Sequence, residues 1–266
     1  MDSAVERAIK CIWERYSEPL SLSDIARSAI LSRFHFSRIF KDATGVSPGR
    51  FLSAVRIYQA KRMLLNSRLK VTDISFAVGF NSLGSFTNHF TASVGVPPGR
   101  FRRMSGNVEV EPLARPSAIP APGGLVTGTI GMPKGVAWAR VYLGAFASPI
   151  MQCRPAAATV VEVSGSDEPY QYRLVNVPQG TWFIHALGVA ETADPEPWTM
   201  RTTLVGRSNL VPISEMAPTM ASIVLRPQRP TDLPILLAVP DLDNELDTFP
   251  PDMAEAAIEE SASDLA

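Results

Sequence analysis

Residues 32–51 and 82–101 of this chain contain the same pattern twice. The two segments read SRFHFSRIFKDATGVSPGRF and SLGSFTNHFTASVGVPPGRF. An offset of 50 places residues of the first segment on identical ones in the second, among them Phe36, Phe40, Gly45, Pro48, Gly49, Arg50 and Phe51. Upstream the offset is 49, because Asp24 aligns with Asp73. The pattern predicts a duplicated module, with one additional residue in the turn before the second Phe-rich segment.

Each copy predicts two helices separated by a break. In LSLSDIARSAI and VTDISFAVGF the apolar residues recur at helical spacing. The first helix of each pair is expected to begin behind a cap, at Ser21 or Ser23 in one copy and at Thr72 in the other. Asn81 or Ser82 is expected to cap the helix that follows the second break.

The second helix of each pair has one repeated side and one changed side. In the first copy, the apolar stripe of Phe36, Phe40 and Ala43 is expected to pack against the rest of the module. The opposite stripe consists of Phe34, Ser37, Arg38 and Lys41. A short helix held by its apolar side, with variable residues outside, is typical of a helix-turn-helix whose second helix enters the major groove of DNA.

The segment between the two modules, PGRFLSAVRIYQAKRMLLNS, predicts a long amphipathic helix. Its inward residues are expected to be Leu52, Val55, Met63 and Leu64. Its outward residues are expected to be Arg56, Lys61 and Arg62.

The two parts of the chain differ in charge and in proline content. Residues 1–104 contain 16 Lys and Arg against 7 Asp and Glu, a net charge of +9, whereas residues 105–266 contain 9 against 19, a net charge of −10. Only four of the 23 prolines fall in the first part. These differences predict a multi-domain α plus β protein, in which the first part is attracted to a polyanion.

The second part predicts an all-β domain. Residues 105–123 are rich in Pro, Ala and Gly and predict a linker. Short β-type runs separated by turn signals then predict an antiparallel sandwich over residues 124–240. Those runs are LVTGTIG, AWARVYLGAF, ATVVEVS, YQYRLVNV, TWFIHALGV, MRTTLVG and ASIVLRP. Residues 241–266 are acidic and poor in aromatic residues, and they predict a flexible tail.

The ordered motifs of residues 5–104 resemble the DNA-binding domain of the AraC/XylS transcription regulators. The motifs lie at Asp24–Ala26, Phe36–Lys41, Gly45–Pro48, Arg56–Leu65, Asp73–Phe80, Ser85–Phe90 and Gly95–Arg102. This resemblance implies an all-α double helix-turn-helix domain of seven helices over residues 1–104. It also implies that two recognition helices contact successive major-groove segments.

The resemblance further implies which residues contact DNA. In the first unit they are Arg33, Phe34, Ser37, Arg38 and Lys41. We expect Arg38 to pair with guanine, Phe34 to pack on a thymine methyl group and Lys41 to contact a phosphate. In the second unit they are Leu83, Gly84, Ser85, Asn88 and His89.

The second unit departs from the family pattern, because Asn88 and Thr91 stand where basic residues are common. We expect it to bind less by charge and more by pairing of Asn88 with adenine, by methyl contact or by groove shape. Arg100, together with Arg102 and Arg103, is expected to hold a phosphate at the last helix.

The second part also looks like the transthyretin-like repeat of carboxypeptidase regulatory domains, through the V-P-x-G turn of Val177–Gly180 and the aromatic strand after it. Such domains are generally non-catalytic. His185 stands in an apolar strand and predicts a core or sheet-face imidazole, and Cys153 has no histidine nearby in sequence. Three tryptophans, Trp138, Trp182 and Trp198, either line a pocket or belong to the core.

The sequence therefore predicts a DNA-binding transcriptional regulator and no catalytic residue, metal site or cofactor. His35 and His89 have no second ligand three or four residues away, and Cys11 lies far from Cys153. The expected partners are double-stranded promoter DNA and RNA polymerase, with a homodimer and a small-molecule effector as open alternatives. No export or membrane-spanning segment is predicted, and a cytoplasmic location is expected. The rival hypothesis is a DNA-binding module fused to an enzymatic or purely structural β domain.

Overall fold

A computed structural model of the chain describes residues 3–104, 123–164, 169–192 and 202–238, without the side chains of residues 191 and 192. The chain forms two compact units, one helical and one of β-strands. Most of the predicted linker and all of the predicted acidic tail lie outside the described residues. Among the helices described, none is long and apolar enough to cross a membrane.

The helical unit has the seven helices that were predicted. They are α1 (Ser3–Arg15), α2 (Leu22–Ser28), α3 (Arg33–Thr44), α4 (Pro48–Asn66), α5 (Val71–Ala77), α6 (Leu83–Val94) and α7 (Pro98–Met104). The duplicated modules are the pairs α2–α3 and α5–α6, and α4 connects them.

The turns inside the two pairs make equivalent backbone hydrogen bonds, except that the second turn contains one additional residue. The N–H groups of Leu31 and Phe80 each donate to the carbonyl five residues earlier, at 3.1 and 3.0 Å, so the offset there is still 49. The N–H groups of Phe36 and Phe86 each donate to a serine carbonyl four residues earlier, at 2.9 and 3.1 Å, with an offset of 50. The additional residue is therefore Asn81, in the turn where the sequence predicted it.

The same aromatic contacts hold both copies together. The centroid of the Phe40 ring is 5.3 Å from that of Phe36 and 5.6 Å from that of Phe51. In the second copy the Phe90 ring is 5.6 and 5.7 Å from the two equivalent rings. The six rings, each at most 2% exposed, are Phe36, Phe40, Phe51, Phe86, Phe90 and Phe101. The predicted packing of the repeated residues is confirmed.

The sequence predicted that the buried side of α3 ends at Ala43, but in the structure it ends at Thr44. Ala43 is exposed, whereas Thr44 is buried and its Oγ1 donates to the carbonyl of Phe40 at 2.8 Å. The buried side therefore follows the ridge of residues spaced by four, which is the ridge that commonly packs between helices.

Two of the three predicted caps are present. Ser21 Oγ donates to the carboxylate of Asp24 at 2.6 Å, and the Ser21 N–H donates to it at 3.0 Å, in a capping box. These two bonds lower the pKa of the Asp24 carboxyl. Ser82 Oγ accepts the N–H three residues further on at 3.2 Å. The assignment of Thr72 as a cap was wrong, because Thr72 is the second residue of α5 and Lys70 is the N-cap.

The linking helix α4 is enclosed on most sides, and the predicted outward position of Lys61 was wrong. Lys61 is 1% exposed, and its Nζ lies 5.4 Å from the centroid of the Phe101 ring. Arg56 and Arg62 are half-buried. Long cationic side chains can bury their aliphatic stems against apolar neighbours, so their charge did not reveal that α4 contacts α1, α2, α3, α5 and α7.

Arg56 fastens α4 to the chain that leaves α1. Its Nε donates to the carbonyl of Tyr16 and its Nη2 donates to that of Glu18, both at 2.7 Å. Both carbonyls lie just beyond the last residue of α1, so these charged hydrogen bonds fix the path of the chain that follows the helix. Arg56 is thus a structural residue of the first module.

The described residues of the β unit form nine strands, and every predicted β-type run contributes to them. They are β1 (Gly124–Gly131), β2 (Val136–Phe146), β3 (Ala157–Ser164), β4 (Tyr170–Val177), β5 (Gly180–Thr192), β6 (Thr202–Ile213), β7 (Thr219–Met220), β8 (Ile223–Val224) and β9 (Arg226–Pro227). One sheet has the order β4-β1-β7 with β8 also paired to β1, and the other has the order β3-β2-β5-β6-β9. The two sheets share one apolar core.

The strand pairs are antiparallel, as predicted, except that the two-residue strands β7 and β8 run parallel to β1. The predicted V-P-x-G turn carries the chain from one sheet to the other, since β4 ends at Val177 and β5 begins at Gly180. Trp182 Nε1 donates to the carbonyl of Pro178 at 2.8 Å across this turn.

His185 lies in the core of the β unit, as the sequence indicated. It is 5% exposed, its Nε2 is 3.0 Å from the Ser148 carbonyl, and its ring packs edge-on to Phe146 at 5.2 Å. Burial lowers the pKa of His185 to about 4, so the imidazole is neutral at physiological pH and donates from Nε2.

Trp138 and Trp182 do not line a common pocket. Trp138 pairs with Glu191 on β5, nine residues along that strand from Trp182. At about 3.3 Å per residue the two indoles lie roughly 30 Å apart along the sheet. Trp198 lies outside the described residues.

Candidate nucleic-acid interface

Helix α3 has a buried side and an exposed side that differ in residue type. Phe36 and Phe40 are fully buried, whereas Phe34, Arg38 and Lys41 are exposed. Residues separated by three, four and seven positions share one face of a helix, so the three exposed residues form a single stripe. We call this stripe, with Ser37, the α3 face.

Two further predicted residues, Arg33 and Ser37, adjoin the stripe of Phe34, Arg38 and Lys41. Arg33 is exposed, and its Cζ lies 5.9 Å from the centroid of the Phe34 ring. Ser37 is half-buried, because it lies on the edge nearest to the Phe36–Phe40 side. All five residues predicted in the first unit are therefore on or beside one accessible surface.

Phe34 is the most informative of these residues, since 85% of its side chain is exposed. Burying a phenylalanine stabilises a fold by about 1.5–3 kcal/mol, and Phe34 contributes almost none of this. Large exposed apolar side chains that adjoin cations are typical of binding surfaces. The exposure of Phe34 thus indicates a role outside the packing of the unit.

All five residues predicted in the second unit are exposed. They are Leu83, Gly84, Ser85, Asn88 and His89. Gly84 and Asn88 occupy the positions of Phe34 and Arg38, 50 residues on. We call the stripe through Gly84 and Asn88 the α6 face.

Ser85 and His89 point away from the α6 face. Each follows Gly84 or Asn88 by one residue, which places it about 100° further around the helix. The imidazole of His89 lies 5.8 Å from the ring of Phe80, in the turn before α6. His89 therefore borders the turn more closely than it borders the α6 face.

Thr87 and Thr91 complete the α6 face, and only Thr91 had been noticed in the sequence, as a departure from the family pattern. Both are half-buried, and Thr91 Oγ1 donates to the Thr87 carbonyl at 2.7 Å. The offset of 50 places them on Ser37 and Lys41, so the repeat itself contained the signal that identifies Thr87.

The two faces differ in charge. The α3 face includes Arg38 and Lys41 with Arg33 beside it, whereas α6 contains no Lys, Arg, Asp or Glu. An anionic ligand that covers both faces is attracted electrostatically mainly by α3.

The expectation that three arginines of α7 hold a phosphate needs a correction at Arg102. Its Nε donates to the Leu64 carbonyl at 3.1 Å and its Nη2 donates to the Leu69 carbonyl at 2.7 Å, so it fastens the end of α4. Arg100 and Arg103 are exposed. Arg102 therefore binds backbone carbonyls at the end of α4, as Arg56 binds backbone carbonyls just after α1.

Comparison with protein families identifies the helical unit. Residues 25–104 match the family described as a helix-turn-helix domain. The chain is 36% identical over 95 residues to the uncharacterized HTH-type transcriptional regulator YobQ of Bacillus subtilis, covering 36% of this chain and 39% of that protein. It is 28% identical over 98 residues to the lactose operon transcription activator of Staphylococcus xylosus, covering 37% of this chain and 35% of that protein. The helical unit of this chain is thus similar to a helix-turn-helix domain that is also found in transcriptional regulators.

Among solved structures, the DNA-binding domain of AdpA, a global transcriptional factor in complex with a target DNA, is 26% identical. The match covers 40% of this chain and 97% of that one, with a TM-score of 0.37. The chain spans less than two fifths of the length of each of the two curated relatives.

Proposed function

We propose that this protein is a sequence-specific transcriptional regulator that places α3 and α6 in successive segments of a DNA major groove. The observation that supports this most is the division of each repeated helix into a buried side whose phenylalanines are identical in both copies and an exposed side that differs. Packing explains why the phenylalanines are repeated. The outer residues differ between the copies because each face contacts a different base sequence.

On the α3 face, we assign direct base contact to Arg38 and Phe34. The Arg38 guanidinium is exposed and can donate two hydrogen bonds to guanine O6 and N7, and the Phe34 ring can cover a thymine methyl group. Lys41, one turn further along, is assigned to a backbone phosphate. Arg33 and Ser37 are assigned to the flanking backbone.

On the α6 face, Asn88 is assigned to an adenine and Gly84 to the closest approach of the helix backbone to the bases. Leu83, Ser85 and His89 are assigned to the edges of the contact, and Arg100 to a phosphate. Because this helix lacks cations, its contribution depends on shape and hydrogen bonding more than on charge.

The β unit is proposed to act as the regulatory part, by homodimerisation, by binding a small-molecule effector or by contacting RNA polymerase. Its two-sheet sandwich and the turn of Val177–Gly180 support the proposed kinship with transthyretin-like domains. A purely structural role is the alternative. Such a regulator acts where promoter DNA lies, in the cytoplasm.

A salt titration of DNA binding tests the proposed function. A duplex is first selected from a random library, and its affinity is measured beside that of an unrelated duplex. We expect the logarithm of the binding constant to fall linearly with the logarithm of salt concentration, with a slope near −4 if about four or five phosphates are contacted. No selected duplex, or a slope near zero, would contradict the proposal.

Arg38→Ala is expected to weaken binding to the selected duplex by about 1–3 kcal/mol and to leave binding to the unrelated duplex almost unchanged. The control is Lys41→Gln, which should weaken both complexes alike and reduce the salt slope by about 1. If Arg38→Ala weakens both duplexes equally, Arg38 contacts phosphate and not a base.

Gly84→Ala tests the close approach of α6, and the chain offers a matched control in Gly49→Ala. Each glycine is the second residue of its helix, and a Cβ at either would meet nothing within 4 Å. Both substitutions should stabilise the helical unit, by up to about 1 kcal/mol. Gly84→Ala should nevertheless lower affinity for the selected duplex by about tenfold, roughly 1.4 kcal/mol. Equal affinities of the two variants in gel-shift titrations would place Gly84 away from the DNA.

A further inference from the structure

The charge of this chain is concentrated at two places of opposite sign. Residues 1–104 have a net charge of +9, while residues 241–266 contain nine Asp and Glu and no Lys or Arg, a net charge of −9. The residues between them are almost neutral, with nine basic against ten acidic side chains. The negative charge of residues 105–266 therefore lies almost entirely in one short segment, residues 241–266, which we call the acidic segment.

The α3 face suits the acidic segment in apolar character as well as in charge. Arg38 and Lys41 lie beside the 85% exposed ring of Phe34. The acidic segment begins DLDNELDTF, in which four carboxylates alternate with Leu242, Leu246 and Phe249. A ligand with both features can neutralise the cations and cover the phenylalanine at the same time.

We propose that the acidic segment, residues 241–266, binds the α3 face and competes with DNA for it. This autoinhibitory contact rests on the proposed DNA-binding function and deepens it, because it regulates the same surface. Its carboxylates occupy the positions of phosphates, and its apolar side chains lie over Phe34.

The acidic segment, when extended, is longer than the helical unit is wide. Its 26 residues span up to about 85 Å when fully extended, and about 25–30 Å as a random coil. A helical unit of this size is roughly 30 Å across. A flexible tether that spans the distance to its site gives an effective concentration on the order of millimolar, at which even a weak contact with a dissociation constant near 0.1 mM would occupy the face about nine tenths of the time.

The first test compares the full chain with a chain that ends at Pro240, in titrations of a random duplex. We expect the shorter chain to bind about tenfold more tightly at low salt, because the competitor is absent. The difference should shrink toward one as salt approaches about 1 M, where the Debye length is about 3 Å. Equal affinities at low salt would overturn the proposal.

The second test detects the contact without DNA. A carbodiimide joins carboxylates directly to lysine amines, and the α3 face offers the exposed Lys41, while the exposed Lys134 of the β unit serves as the matched control. In the full chain we expect cross-linked peptides between the acidic segment and Lys41 at low salt, and their loss when duplex DNA is added. Cross-links to Lys134 as abundant as those to Lys41, or none to Lys41, would overturn the proposal.

The two tests separate this inference from the proposed function. If neither chain binds any duplex but Lys41 is cross-linked, the autoinhibitory contact exists and DNA is the wrong competitor, which overturns the proposal as stated. If both chains bind DNA equally and Lys41 is not cross-linked, the proposed function stands and the acidic segment has no part in it.

Discussion

Phe90→Ala is expected to lower the free energy of unfolding of the helical unit by about 3–5 kcal/mol, the range measured for removal of a fully buried phenylalanine. The Phe90 ring is 0% exposed and lies between two other buried rings, at 5.6 and 5.7 Å. Alanine would leave a cavity that cannot close without moving α6 against α7. Because a domain is stable by only about 5–15 kcal/mol, this loss is a large part of the total.

Urea denaturation followed by helical ellipticity measures this effect, since the β unit contributes little to that signal. The equivalent substitution Phe40→Ala should cost the same amount within about 1 kcal/mol, because its ring has the same neighbours at an offset of 50. The control is Phe34→Ala, six residues away, which should change stability by less than about 0.5 kcal/mol. A loss at Phe34 comparable to that at Phe40 would show that the 85% exposed ring belongs to the core after all.

Those three phenylalanines also explain why so much of the helical unit could be predicted. The repeat marked which residues are constrained by packing, and helical periodicity then placed Phe36 and Phe40 on one side and Arg38 on the other. Even the inserted residue was expected in the right turn. What the periodicity indicates directly is the side of a helix, and for the repeated phenylalanines that part of the prediction was confirmed.

The errors came from residues whose role depends on a distant part of the chain. Lys61 is charged and was placed outside, but it is buried over the ring of Phe101, forty residues away in sequence. Arg56 and Arg102 were assigned to solvent or phosphate, although each bonds carbonyl groups at the end of another helix. Composition describes a side chain as cationic, and only the tertiary fold decides whether a backbone carbonyl or water accepts its hydrogen bonds.

For the candidate site, too, the sequence predicted some features of residue placement and missed others. The sequence placed the α3 face correctly in the open, but it grouped His89 with Asn88, although helical geometry separates them by about 100°. In the β unit, strand positions followed from β-type runs. The parallel pairing of β7 and β8 did not, because a two-residue strand has no periodicity to detect.

Gly79→Ala is expected to destabilise the helical unit by about 3 kcal/mol or more, for two separable reasons. Gly79 has φ +84°, a conformation that costs alanine about 1–2 kcal/mol. A Cβ there would also lie 2.7 Å from the carbonyl oxygen of Ser17 and 3.0 Å from both the Tyr16 oxygen and Arg56 Nη2. Relieving that contact disturbs the hydrogen bonds of Arg56, which are worth about 1.5–3 kcal/mol as charged bonds.

In the first copy the equivalent backbone position has a side chain, so the reverse substitution, to glycine, can be made there. Ile30, 49 residues before Gly79, has φ 61° and is 78% exposed. Its left-handed backbone conformation is therefore unfavourable, and its side chain gains little stabilisation from burial. Ile30→Gly is therefore expected to stabilise the unit by about 0.5–1 kcal/mol, after the larger unfolded-state entropy of glycine is subtracted. Both variants are measured by urea denaturation beside the parent chain. If Ile30→Gly were instead destabilising, the isoleucine side chain would have to contribute packing that its exposure excludes, and the equivalence of the two turns would be wrong.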